Sequence, residues 1–296
     1  MKDKIKIISS MFIFGSIGIF VRNINLPSIE IAFLRAIIGS SFLLFAGFIM
    51  KQKMSIKLVK ANILILTLSG VAIGFNWILL FQAYKYTTIS NSTLSYYFAP
   101  IFVLMLAPII LKERLTMIKI ICVIVAMSGL FLIVSTGSTN ITVSYNHIIG
   151  IIYGLSAAVL YASIILMNKF IKNLSGFEST LIQLSIAAIV LLPLIIYRGN
   201  IHVSEISSTA WIFILIVGIL HTGIAYLMYF SSINQLKGQS IAILSYIDPI
   251  SAVILASVFL GESITIMKVI GGLLILGSTF ISEILEAKFT NHPIEL

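Results

Sequence analysis

Long apolar runs, cut apart by short polar clusters, make up almost the whole chain. A helix needs roughly 17 to 25 residues to cross about 30 Å of hydrocarbon. Ten runs meet that length, at about 5–22, 28–50, 61–84, 88–111, 117–135, 148–168, 177–197, 209–233, 239–260 and 265–286. They leave no segment for a soluble domain, so the pattern predicts an all-α integral membrane protein of ten transmembrane helices. The opening MKDKIKIISSMFIFGSIGIF has the basic and apolar parts of a signal peptide. It lacks a small-x-small cleavage site and further spans follow, which makes it a retained first helix.

Two of the runs break the apolar pattern in the same way. SYYFAPIFVLMLAPIILKER, residues 95–114, and LSYIDPISAVILASVFLGES, residues 244–263, each carry a tyrosine, a proline and a more distant glutamate. Aligned without gaps, 97–121 and 246–270 share ten identities in 25 positions. Among them are Tyr97 with Tyr246, Pro100 with Pro249, Glu113 with Glu262, Thr116 with Thr265 and Lys119 with Lys268. The same offset pairs Gly74 with Gly223, Trp77 with Tyr226 and Phe81 with Phe230. The chain therefore reads as two copies of a five-helix unit, residues 1–136 and 147–286, joined by the polar stretch TGSTNITVSYN. Because five is odd, the second copy enters the membrane from the opposite side. The loop holding Lys112, Glu113 and Arg114 is basic and its counterpart at Gly261, Glu262 and Ser263 is not, as that inversion requires. Inverted repeats give a protein two nearly equivalent packings, one open to each face, which is the architecture of alternating-access transporters.

With 59% hydrophobic and 10% charged residues, 296 positions supply too little polar surface for a water-soluble globule. A net charge of +9 would suggest nucleic acid in a soluble protein, but here its distribution matters more. Fourteen of the 19 Lys and Arg residues, including Lys2, Lys51, Lys112 and Lys169, fall on one side of the ten-span topology. Arg22, Lys85, Arg198 and Lys268 fall on the other, and Arg35 lies inside a span. This asymmetry places both termini in the cytoplasm of a multi-pass cell-membrane protein. The lipid bilayer, with its anionic headgroups, is then a sufficient partner for the charge, and no nucleic acid is needed. Cys122 is the sole cysteine and lies in the fifth span, which excludes an intrachain disulfide or a thiolate cluster. There is no phosphate-binding glycine loop and no H-E-x-x-H motif, so the expectation is no metal, no cofactor and no nucleotide hydrolysis.

The arrangement resembles the drug/metabolite transporter superfamily, and specifically its ten-helix members with two EamA domains. Phe14, Gly15 and Ser16 in the first helix, Arg35 in the second, and the pairs Pro100 with Glu113 and Pro249 with Glu262 carry the resemblance. It covers almost the full chain. It implies a secondary transporter, most often an exporter of amino acids or other small metabolites, with a cavity lined by helices of both halves. By the same analogy the fifth and tenth helices are packing elements or the contact of a homodimer. Leu184 stands where the second half would match Arg35, a departure that implies unequal shares of the binding work.

Asp248 is the acid that only the second copy has. A helix starting at Pro249 would run about 18 Å before Gly261, too little to cross the bilayer. The ninth helix must begin earlier and hold Asp248 near mid-membrane, slightly toward the cytoplasm. An ionised side chain costs about 3 kcal/mol there on insertion scales. Either Asp248 takes up and releases a proton during transport, or it is a neutral acid bonded to the Ser245 carbonyl that Pro249 leaves unpaired. Pro100 and Pro249 kink or loosen the fourth and ninth helices.

Arg35 lies about 10 Å deep, within reach of the outer surface by snorkelling. It holds either a carboxylate, of the substrate or of Asp248, or helix-end carbonyls and headgroups. His221 and Tyr229 share one face of the eighth span with Tyr226 adjacent, and Trp77, beside Asn76, is the equivalent of Tyr226 in the third span. Together with Tyr97 and Tyr246 they form a candidate substrate lining, because aromatics with a polar edge can orient an amphipathic metabolite. The alternative is packing or interface anchoring. Glu113 and Glu262 read as carboxylates that satisfy the first amides of the helix following each. Gly70 with Gly74 and Gly150 with Gly154 read as points of close helix contact.

With the exporter role and metabolite class that the resemblance implies, these residues predict a secondary active transporter, an exporter of small organic metabolites such as amino acids, coupled to protons or driven by the solute's own gradient. The alternative is a lipid or polyprenyl-carrier translocase, which would need a lateral opening and a basic headgroup pocket. A membrane-embedded enzyme would need two or more acids or histidines at one depth. Only Asp248, His221 and Arg35 are available, so the expectation is a carrier and not an enzyme.

Overall fold

The computed structural model describes residues 2–52, 54–111, 117–135, 146–199, 206–233 and 244–291. Glu113 and its neighbours Lys112, Arg114 and Thr116, and the linker 136–145, lie outside them. Ten apolar spans run Lys2–Arg22, Ser28–Ile49, Ile63–Tyr86, Ile89–Ile110, Met117–Ser135, His147–Asn168, Gly176–Tyr197, 208–233, 244–260 and Ile266–Asn291. They are numbered 1 to 10 below.

Local chemistry sets the helix ends. Thr88, Asn146 and Ser207 each accept a bond from a backbone N–H three residues on, at the starts of spans 4, 6 and 8. Span 7 opens with a capping box in which Ser175 and Glu178 bond reciprocally. Gly261 ends span 9 at φ +65°, a left-handed conformation that costs glycine no Cβ clash. The short helix Ile56–Ala61 between spans 2 and 3 is invisible in the hydrophobic pattern, because none of its residues is buried.

The packing repeats across the two halves. Span 3 lies on span 6 as span 8 lies on span 1, span 4 on span 6 as span 9 on span 1, and span 3 on span 7 as span 8 on span 2. Spans 2 and 7 meet each other, and so do spans 5 and 10. Exchanging the halves maps each of these contacts onto its counterpart, and an odd number of spans per half makes the relation antiparallel. The fold is all-α, with ten transmembrane helices in two inverted five-helix repeats. The glycine pairs serve it as expected: Gly70 and Gly74 back against Ile186 and Leu191 of span 7, and Gly150 and Gly154 against Thr87 and Ser95.

Spans 5 and 10 meet most closely at two glycines. A Cβ on Gly129 would lie 2.6 Å from the Gly271 carbonyl oxygen, and a Cβ on Gly271 would lie 2.6 Å from that of Gly129. No L side chain fits without parting the backbones. Gly129→Val is therefore expected to destabilise the protein by about 1–3 kcal/mol, the usual cost of overpacking. A thermal melt in detergent reads the effect, and an unchanged midpoint would show that the contact is dispensable.

Candidate functional site

The two spans with matching prolines, 4 and 9, are discontinuous, whereas span 7 carries Pro193 inside an unbroken helix. Span 4 consists of two helices, Ile89–Tyr96 and Ala99–Ile110, with Tyr97 and Phe98 between them and Pro100 in the first turn of the second. Proline suits that position, where its missing N–H would have had no helical partner. Span 9 repeats the design: Leu244 and Ser245 are helical, Tyr246 is a turn, and the helix Ile247–Leu260 restarts with Asp248 and Pro249 in its first turn. The prolines thus restart a helix instead of bending a continuous one, and Asp248 stands at the junction. Paired broken helices mark the binding region of inverted-repeat carriers.

A cavity of about 480 Å³ lies at the two breaks. Asn76, Trp77, Tyr97, Pro100, Tyr226, Tyr246 and Asp248 all line it. Tyr96 and Phe14 of the first half and Tyr161, Gln183 and Tyr229 of the second complete much of the wall. Toward one end the lining reaches Asn168 and Thr180, next to Lys169 and Lys172; toward the other it stops at Trp77 and Tyr96.

The two breaks are joined directly, because the Tyr97 hydroxyl donates to Asp248 Oδ2 at 2.5 Å. Asp248 makes this bond and not one to the Ser245 carbonyl, and its own backbone carbonyl accepts from Ser251 at 2.9 Å. Among the described residues, no Lys, Arg or His lies within ion-pair distance of its carboxyl group. Two of the amides around the cavity are already engaged as donors. Asn76 Nδ2 donates to the Ala157 carbonyl at 2.6 Å, and Gln183 Nε2 donates to Ser69 Oγ and Asn168 Oδ1, each at 2.7 Å.

Arg35, His221 and Pro249 stand outside the cavity wall. Arg35 is 5% exposed; its guanidinium lies 3.9 Å from the centre of the Trp77 ring and its Nε donates to Thr222 Oγ1 at 2.9 Å. Thr222 in turn donates to the Val217 carbonyl at 3.0 Å. His221 is fully buried, with Nε2 2.9 Å from Ser16 Oγ, Nδ1 3.2 Å from the Ile216 carbonyl oxygen and the Phe20 ring edge-on. His221 itself and Thr222, the hydrogen-bond partner of Arg35, belong to a π-helical segment, Ile216–Ile224, at the centre of span 8. Its i→i+5 bonding widens the turns and shifts the face that follows. His221 therefore points at span 1, while Tyr229, expected on its face, and the adjacent Tyr226 open to the cavity.

The opposite end of the bundle is closed by Glu262, which is 4% exposed. Its Oε1 accepts from Arg22 Nη1 at 2.9 Å and from the Ile89 amide at 2.6 Å; its Oε2 accepts from the Ser90 amide at 3.1 Å and the Ser90 hydroxyl at 2.7 Å. The sequence suggested a cap for the following helix. Instead the carboxylate crosses to the other half and caps span 4, whose first amides have no partner within their own helix. Beneath it, Ile17, Val21, Leu80 and Phe81 pack in the central core, and Lys85 at the same end donates to the Leu26 carbonyl.

Tyr96, Tyr161, Asn168 and Gln183 line the cavity without having been singled out in the sequence. The available signal was a polar side chain inside an apolar span, clearest for Gln183.

Comparison with known proteins agrees with this architecture. The EamA-like transporter family matches the chain twice, over residues 4–135 and 148–283. Uncharacterized transporter YxxF of Bacillus subtilis strain 168 is 35% identical over 258 residues, covering 87% of this chain and 81% of its own. Solute carrier family 35 member G1 of Mus musculus is 23% identical over 281 residues, covering 91% of this chain and 75% of its own. One crystal structure superimposes with a TM-score of 0.64 at 14% identity, over 97% of this chain and 98% of that one, which shows a shared fold. The two matched repeats, the transporter relatives and the duplicated helical fold make this chain a multi-pass membrane transporter that belongs to the EamA-like family.

Proposed function

We propose that the protein is a secondary carrier of the cell membrane that moves a small organic metabolite outward by alternating access, in exchange for protons. The observation that carries this reading is the cavity at the twin helix breaks, walled by both halves and reaching one end of the bundle only. With the lysine-rich loops and both termini in the cytoplasm, the cavity faces inward and the Glu262 cluster closes the outer end. Spans 1–4 rock against spans 6–9 while spans 5 and 10 hold their pairing at the edge. Asp248 carries the proton: its bond to Tyr97 ties the broken helices together, and a change of protonation alters that tie. Arg35 acts as a brace from span 2 to the π-helical segment, through Thr222 and the Trp77 ring. A translocase for lipid carriers would call for cations around a headgroup, whereas the one charged residue among the described lining is an acid.

Purified protein in liposomes with an imposed pH gradient tests this. Addition of small organic metabolites is expected to produce solute-dependent proton flux for at least one of them. Solute movement without proton flux would make the protein a facilitator and remove the coupling role from Asp248.

A further inference from the structure

We propose that the transported solute is an organic cation, an amine or ammonium compound with an apolar or aromatic body, and that it needs no carboxylate to be recognised. This rests on the carrier reading above and specifies its substrate. Three observations point the same way. First, Asp248 is the only charged residue among the described residues that line the cavity, so the field inside is that of an acid. Second, Tyr97 occupies Oδ2 alone, leaving Oδ1 without a hydrogen-bond donor among the described residues. Third, the wall that holds the acid is rich in aromatic side chains: Tyr161, Tyr226, Tyr229 and Tyr246 all line it. Tyrosine rings beside a single carboxylate are the chemistry that holds an ammonium group, since the ring quadrupoles and the acid attract the same sign of charge.

Two amides of the wall and the nearest cation are committed elsewhere, which leaves an anion only neutral donors such as Asn168 Nδ2 and the Thr180 and Tyr161 hydroxyls. The Asn76 amide donates to Ala157, and the Gln183 amide donates to Ser69 and Asn168. Arg35, the cation expected to clamp an anion, is stacked on Trp77 and bonded to Thr222 instead of standing in the wall. An anion entering this cavity would meet a carboxylate and, among the described lining residues, no cation to balance it. A cation also explains exchange: the protonated acid has no charge to offer, so proton and ammonium compete for one site, and loading one releases the other.

Three compounds on one skeleton separate the possibilities: phenethylamine, phenylalanine and 3-phenylpropionate, a cation, a zwitterion and an anion. Trp77 fluorescence in a Trp211→Phe background reads binding to purified protein, and the same compounds are then supplied to proteoliposomes for flux. Phenethylamine is expected to bind at least about tenfold more tightly than the other two. Asp248→Asn is expected to weaken it by about tenfold or more in protein that stays monodisperse. Tyr161→Leu is expected to cost more affinity, about 3- to 10-fold, than Tyr161→Phe, which keeps the π-face. Equal or tighter binding of phenylalanine or 3-phenylpropionate, no binding of any of the three, or amine binding indifferent to Asp248→Asn would each overturn the assignment. Saturable amine binding with no flux would leave the cation site standing and sink the carrier reading alone.

Discussion

Glu262→Gln is expected to unlock the closed end of the bundle. Four donors converge on the two oxygens of Glu262, two of them backbone amides at the start of span 4 and one the Arg22 guanidinium. Glutamine keeps the shape but supplies one oxygen, turns an N–H₂ toward donors that need an acceptor, and leaves Arg22 facing a neutral group. Arg22 keeps some contact with solvent, so the loss is set mainly by the buried donors left without an acceptor, about 1–3 kcal/mol. That penalty falls only on the conformation in which spans 1, 4 and 9 meet at this end, so the open-to-closed ratio there rises by roughly one to two powers of ten. Leu80, 6% exposed beneath the cluster, can report it. In a Cys122→Ser background, Leu80→Cys is expected to react slowly with a membrane-impermeant maleimide applied from outside, and rapidly once Glu262→Gln is added. Equal labelling in a folded double variant would mean that the cluster does not hold the gate.

Asp248→Asn is expected to uncouple transport from protons. The amide is isosteric and its oxygen still accepts from Tyr97, so the junction between the broken helices is preserved. What disappears is the ability to lose and regain a proton at the cavity. In liposomes, solute-driven proton movement should vanish, and whatever solute exchange remains at saturating concentration should no longer respond to the pH gradient. Persisting pH dependence in this variant would move proton coupling to another group, and His221, buried against Ser16 and Phe20, would be the next to test.

The spans and their duplication were legible because crossing a bilayer demands long apolar runs, and because helix breaks leave tyrosine and proline at matching places. Tyr97 and Tyr246 mark those breaks in the sequence as they do in space. Side-chain direction was much less legible. Arg35 and His221 look like cavity residues because ionisable groups inside a span invite a functional reading. Their true partners, Thr222 with the Trp77 ring and Ser16 with Ile216, depend on the π-helical turn of span 8. No apolar period announces that turn. Glu262 likewise gave away its helix-capping chemistry but not its target, since Ile89 and Ser90 lie 173 and 172 residues away along the chain.

The two breaks share their tyrosine and proline and differ in charge at one pair of positions, where Ala99 of the first half corresponds to Asp248 of the second, and both residues line the cavity. A carrier with two identical halves would look the same from either side of the membrane, with equal apparent affinity on each face. A single acid on one half removes that equivalence. The inward- and outward-facing states then differ in how near the acid lies to water and in how strongly it attracts a charged solute. Such a difference cannot choose the direction of net movement, which the gradients decide. It does make KM on one face unlike KM on the other, so that this one substitution turns a mirror-like rocker into a carrier with a loading side and a release side.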